Sequence, residues 1–191
     1  MTKVTHERGI NGVLIKNWLK ERFGTQGLDI INGKLSTNAS VMLLEPVMSD
    51  WYPAGLVAEI FTTIGNEYKD KYPDILVEYG RYAANQSVKG FLRYLARLIT
   101  IETLTKRMMA FWKQYHKGGS ISAGAFSEAQ GREKTLITVE GFELGSSGCE
   151  VIQGYLEALI PFANVKGVKV KEKTCIYQGN SQCSWEVSWD A

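Results

Sequence analysis

The sequence predicts an α+β fold in which helices pack on one face of an antiparallel sheet. Three observations predict it. Apolar residues recur at helical spacing through about the first 118 residues. After Gly118-Gly119 the spacing drops to two, and a single late helix then separates two pairs of strands. The length of 191 residues suits one domain over 1–191, with a helical part at about 1–118 and a β-β-α-β-β part at about 119–191.

The elements follow in order. Ile10, Val13, Leu14, Trp18, Leu19 and Phe23 form the first helical stripe, with Gly24 as its stop. A polar stretch holding Gly27, Gly33, Ser36 and Asn38 leads to a segment without clear period that ends at Pro46. Leu56, Ile60, Phe61, Ile64 and Tyr68 mark a second helix, begun near Pro53. Ile75, Leu76, Tyr79 and Ala83 mark another, and Phe91, Leu92, Leu95, Leu98 and Ile99 a further one. The last helix of this half carries Ile101, Leu104, Met108, Phe111, Trp112 and Tyr115 and stops at Gly118-Gly119.

ISAGAF and TLITVEGF alternate and carry β-branched residues, so they read as two antiparallel strands with a Gly131-Arg132 turn between them. Ser147 and Glu150 form an S-x-x-E capping box, which starts a helix at Ser147 that runs to Ile160 ahead of Pro161. Val168, Val170, Ile176, Val187 and Trp189 are the inward positions of two closing strands.

Composition excludes several classes. A net charge of +2 with interleaved Lys, Arg, Asp and Glu gives no basic footprint, so direct nucleic-acid binding is not expected. No run approaches the roughly 18 apolar residues of a membrane span, and the N-terminus lacks a secretory apolar region. A cytoplasmic protein with reduced thiols is expected. There is no phosphate-binding Gly-rich loop, no nucleophile–His pair and no supported carboxylate dyad, so no residue is assigned a catalytic role.

The chain has three cysteines, and two lie in the closing hairpin KEKTCIYQGNSQCSWEV. A three-residue turn at Gln178, Gly179 and Asn180 sets Cys175 opposite Cys183 on one face. Cys149, placed at the second position of the late helix, shares a stripe with Ile152 and Leu156 and faces the sheet. Glu172 precedes Cys175 by three residues, so strict alternation points it to the opposite face unless a β-bulge turns it inward. These residues support three readings: small core hydrophobes, a Cys175–Cys183 disulfide, or a closed metal site.

The set Cys149, Glu172, Cys175 and Cys183, with spacings of 26, 3 and 8 residues between ligand positions, resembles the zinc-binding signature of the 4-vinyl reductase-type domain. That resemblance implies a structural zinc site with those four ligands, a small hydrophobic or aromatic ligand, and a sensor or carrier role. GINGVLIKNWLKERFG and GRYAANQSVKGFLRYLARL are similar to the heme nitric-oxide sensor fold, which shares a superfamily with subunits of the TRAPP trafficking complex. This likeness implies a homodimer. Ile101 stands where the heme's proximal histidine would be, and no Tyr-x-Ser-x-Arg motif occurs, so zinc without heme is the expected cofactor state. Thr100 lies near the position of the histidine that phenol sensors of the family use.

The aromatic residues of the middle helices, above all Phe91, Phe111, Trp112 and Tyr115, are the candidate lining of a ligand pocket, although aromatic stripes are more often core. Two other functions stand beside the sensor: an enzyme or accessory protein acting on a tetrapyrrole-like substrate, and a dimeric interaction module. His116 is expected to cap helix carbonyls and His6 to lie in a frayed terminus.

Overall fold

The computed structural model describes residues 2–88, 99–129 and 131–191. Helix α1 spans Ile10–Asn32 and buries Ile15, Trp18, Leu19, Leu28 and Ile31. Gly24 does break the helical geometry, with φ 70° and ψ −174°, but the chain re-enters the helix after it. The expected stop is therefore a kink. An added Cβ at Gly24 would meet nothing, so glycine is required there by the backbone dihedral rather than by space. The polar stretch that follows is helical as well: α2 spans Thr37–Leu44, and the Ser36 hydroxyl accepts from the Ala39 amide at its start.

Three short strands have no counterpart in the sequence reading. β1 (His6–Arg8) pairs antiparallel with β2 (Trp51–Pro53) on one side and β3 (His116–Lys117) on the other. Strands of two or three residues are too short to show a period. The N-terminus is thus the centre of a small sheet, not a frayed end. Trp51 lies between two cations, the Arg8 guanidinium and the Lys117 ammonium, each 4.7 Å from its ring centroid.

The buried anchor of this sheet is Glu7, which is only 1% exposed. Its carboxyl accepts from Asn11 Nδ2 at 2.6 Å and lies 2.7 Å from His116 Nδ1. His116 is the C-cap residue of the helix ending at Tyr115, its amide donating to the Trp112 carbonyl. Its ring packs on Trp112, meets the edge of Phe142 and hydrogen-bonds Glu7 instead of helix carbonyls. Removing one partner of such a pair leaves a desolvated carboxyl with half its hydrogen bonds. His116→Ala is expected to cost about 3 kcal/mol of unfolding free energy, read from urea melts.

Helix α3 (Ala54–Tyr68) and α4 (Ile75–Ser87) carry the expected apolar stripes, and α5 (Ile101–Tyr115) buries Ile101, Leu104, Met108 and Trp112. The helix expected around Phe91 to Leu98 lies outside the described residues. Glu78 and Arg81 do not pair with each other: Glu78 accepts from Arg22 and Arg81 from α4 reaches Glu157.

The second sheet runs β4-β6-β8-β7, with β4 at Ser120–Ala123, β6 at Arg132–Glu140, β7 at Lys169–Thr174 and β8 at Cys183–Asp190. β5 (Ser127–Ala129) also pairs with β6, and Gly131 (φ 70°) makes the turn between them. Ile137, Val139, Cys183, Trp185, Val187 and Trp189 face inward, where helix α6 (Gly145–Leu159) covers them. This is the α+β arrangement expected from the change in period.

One contact dominates the join between the helices and this layer. A Cβ at Gly80 of α4 would stand 2.1 Å from the Val151 carbonyl of α6, and one at Gly154 would stand 2.0 Å from the Val77 carbonyl of α4. Each helix thus presents a glycine to the other's backbone. Arg81 and Glu157 close the same seam with a salt bridge at its exposed rim.

Candidate metal centre

The hairpin brings its two cysteines together, although the expected three-residue turn at Gln178, Gly179 and Asn180 does not form and residues 176–182 make a longer loop. Thr174 opposes Ser184, which puts Cys175 across from Cys183 at the end of the ladder. A short 3-10 turn at Ile176–Gln178 and Gly179 in the left-handed region (φ 87°) close the loop. The Asn180 side chain accepts from the Cys175 amide at 3.1 Å, and the Ile176 amide donates to Cys183 Sγ at 3.5 Å. Backbone N–H groups aimed at sulfur stabilise thiolate character.

Cys149 completes the triad from α6. Its Sγ lies 3.8 Å from that of Cys175 and 3.5 Å from that of Cys183. All three sulfurs fall within 4.8 Å of one another, and all three residues are buried. They are free thiols, so the hairpin is not held by the disulfide that was one of the three readings. Bonds of about 2.3 Å from a tetrahedral ion to sulfur set sulfur–sulfur edges of about 3.8 Å. The two edges from Cys149, 3.8 and 3.5 Å, are close to that length, and the third lies within 4.8 Å.

The capping box does not form. α6 begins at Gly145 (φ 78°) after Leu144, with no side-chain cap, and Cys149 falls in its second turn. The helix start is held instead by Tyr177, whose hydroxyl accepts from the Gly145 amide at 2.9 Å. Sequence reasoning missed Tyr177, and a tyrosine in a turn carries no pattern that would reveal it. Its role is to tie the hairpin to the helix that delivers Cys149.

A bulge turns Glu172 to the inner face, although its carboxyl does not join the three sulfurs within the 4.8 Å they share. Between Glu172 and Thr174 the register with β8 shifts, leaving Lys173 without a partner, and Glu172 opposes the inward Trp185. Its carboxyl interacts with the thiols of Cys175 and Cys149. Its Oε1 is buried with no hydrogen-bond partner. An orphaned carboxyl oxygen beside three sulfurs is an unmet demand for positive charge.

The proton equilibria fit the same demand. The hydrogen bond from Cys149 pulls the Cys183 thiol down to about 6. That bond, then burial and the charge of neighbouring sulfurs, push Cys149 well above the ordinary thiol range. Burial raises Cys175. Burial also raises Glu172, with the charge of Glu150 adding to it. One thiol of the triad is thus favoured as a thiolate over the other two.

Of the candidate pocket residues, Phe111, Trp112 and Tyr115 lie on α5 among the described residues. Phe111 is 42% exposed, while Trp112 is buried and donates its Nε1 to the Gly118 carbonyl at 3.0 Å. That carbonyl satisfies the indole's one polar atom inside the fold. Tyr115 is half-buried, with its hydroxyl pushed up by burial. Phe91 lies outside the described residues. A solvent-open cleft of about 470 Å³ instead lies between α5 and the loop after β4, lined by Glu102, Thr105, Lys106 and Ala123 to Phe126.

No protein-family model and no curated protein matches the sequence. Solved structures do match its fold. An H-NOX protein from S. oneidensis in the Fe(II)NO ligation state aligns with TM-score 0.69 at 12% identity, covering 96% of this chain and 99% of that one. The Fe(II) unliganded H-NOX protein from K. algicida aligns with TM-score 0.69 at 9% identity, covering 96% and 97%. A structure on heme distortion in the H-NOX family aligns with TM-score 0.62 at 15% identity, covering 94% and 93%. The chain has the fold of these domains.

The comparison corrects one expectation. Zinc without heme was the cofactor state read from the sequence, and the fold's neighbours are heme-family domains, so heme rather than zinc is the cofactor to which the fold points. The imidazole donors that this chain has for an iron porphyrin are His6 and His116. His6 Nδ1 lies 3.0 Å from the Thr5 hydroxyl in β1, and His116 is held by Glu7. Ile101 is buried in the core at the start of α5. The described residues therefore do not assemble an axial nitrogen beside a porphyrin-sized space, and no chemical step is derived through that group.

Proposed function

We propose that the chain is a small-molecule-binding sensor or carrier domain whose C-terminal layer is cross-linked by a divalent metal ion on Cys149, Cys175, Cys183 and Glu172. One observation carries the metal part: three buried sulfurs at tetrahedral spacing beside a buried carboxyl oxygen that has no partner. Three thiolates and a carboxylate leave no open position on a tetrahedral ion, so the ion's work is structural. The sensor part is supported by the H-NOX fold over nearly the whole chain and by the lack of any nucleophile–base pair in the described site.

The ligand class is a small hydrophobic or aromatic molecule, supported by the aromatic content of the helical layer. A homodimer is supported by exposed apolar residues at α2 and the loop after it, where Val41, Val47 and Met48 are each at least half exposed. No helix among the described residues is long and apolar enough to cross a membrane.

Native mass spectrometry of protein purified without added metal tests these points together. One metal ion per chain and a two-chain mass are expected, with elemental analysis naming the ion. Less than about half an equivalent of any divalent metal would overturn the metal centre, because structural sites bind tightly. Absorption spectra before and after hemin addition belong to the same experiment. A stoichiometric Soret band would identify a porphyrin as the small ligand.

A further inference from the structure

The outer face of the second sheet carries a charge pattern that neither the core nor the metal centre uses. β7 ends the strand order and pairs only with β8, so its other edge is unpaired among the described residues. Its outward side chains are Lys169, Lys171 and the bulge residue Lys173, all exposed. Lys134 lies on the same face, two strands away, across Ser188 from Lys169. Glu186 is the one acid between them, 3.4 Å from Lys134 and 3.9 Å from Lys173. Lys169 and Lys171 have no ionic partner among the described residues.

Lysines on a sheet edge ordinarily block self-pairing, and a bulge does the same. A second copy of this strand would bring lysine against lysine. The same arrangement favours an incoming strand that carries acids. Alternate residues of a strand lie about 6.7 Å apart, and directly opposed side chains about 5 Å, so acids at every second position would face each lysine in turn. On the inner side of the strand Val170, opposite the buried Val187, is half-buried, which suits a small β-branched residue between the acids. Leu136, 40% exposed, is the large apolar residue of the outer face, and no aromatic ring lies there to stack on a base.

We propose that the β7 edge is a docking site for an extended acidic segment of another protein, which adds to the sheet as a further strand with its carboxylates over Lys169, Lys171 and Lys173. Backbone hydrogen bonds supply the strand geometry and the lysines select the sequence. This surface lies on the face of β7 opposite Glu172, and its lysines are not among the proposed metal ligands.

Fluorescence anisotropy with a labelled, end-capped peptide alternating Glu and Thr tests it. Saturable binding that weakens with salt is expected, and Lys169→Gln/Lys171→Gln/Lys173→Gln should weaken it by about tenfold, since three exposed charge pairs together are worth about 1.4 kcal/mol. The charge-reversed triple variant to Glu should bind a Lys-Thr peptide instead, which keeps the test decisive if the Gln variant self-associates. N-methylation of alternate peptide amides should abolish binding. Equal binding by wild type and Gln variant, or by the methylated peptide, would overturn the proposal. So would binding of a single-stranded oligonucleotide or phosphatidylserine vesicles with none of the acidic peptide.

Discussion

Cys183→Ser protein is expected to purify without stoichiometric metal and to unfold with several kcal/mol less free energy than wild type. Cys183 is the sulfur nearest Cys149 and the one that receives the Ile176 amide, so its loss removes both a ligand and the acceptor that fixes the turn. Structural ions in small domains contribute about 10 kcal/mol or more of apparent binding free energy, and a hydroxyl cannot replace a thiolate in that role. Elemental analysis combined with thermal melts, with and without chelator, checks the result. Glu172→Gln should be milder, because the bulge still delivers an oxygen to the site while one negative charge is lost. Metal loss with an unchanged melting curve would show that the ion is not structural.

The second large effect is expected at the helix seam. Gly154→Ala places a methyl group 2.0 Å from the Val77 carbonyl, and Gly80→Ala places one 2.1 Å from that of Val151. Alanine favours a helix over glycine by about 1 kcal/mol, but backbone cannot yield as a flexible side chain can. The clash wins, and each substitution should cost about 3 kcal/mol or more as α4 and α6 are forced apart. Gly55→Ala is the matching control. Nothing lies within 4 Å of its Cβ, and it sits in the first turn of α3, so a gain of a few tenths of a kcal/mol is expected from urea melts.

Much of this fold could be read from periodicity. The stripe Ile101, Leu104, Met108 and Trp112 fixed α5, and the alternation around Ile137 and Val139 fixed β6, because long elements repeat their signal. The three strands around Glu7 were invisible for the opposite reason: two or three residues hold no period, and their partners are about 45 and 110 residues away. Gly24 was misread as a stop because a left-handed residue can either end a helix or kink it. What decides is the burial of Leu28 and Ile31 beyond it.

At the site, Cys175 and Cys183 do meet, but across a longer loop with a 3-10 turn rather than the three-residue turn from which their pairing was read. The inward face of Cys149 followed from the helical stripe. The orientation of Glu172 did not. It depends on one unpaired lysine in β7, and a bulge leaves no signature in a single sequence. The Tyr177 hold on the start of α6 was hidden in the same way. Ser147 and Glu150 show the converse error, a sequence motif that the fold leaves unused.

The glycine seam has a mechanical consequence. Val151 and Gly154, which touch α4, stand two and five residues beyond Cys149 on the same rigid rod. With carbonyls of each helix seated where the other lacks a side chain, the two rods cannot slip past one another without first parting. Displacement of α4 is therefore transmitted to the sulfur at the end of α6, and the stiffness of the sulfur cage is felt in return among the N-terminal helices.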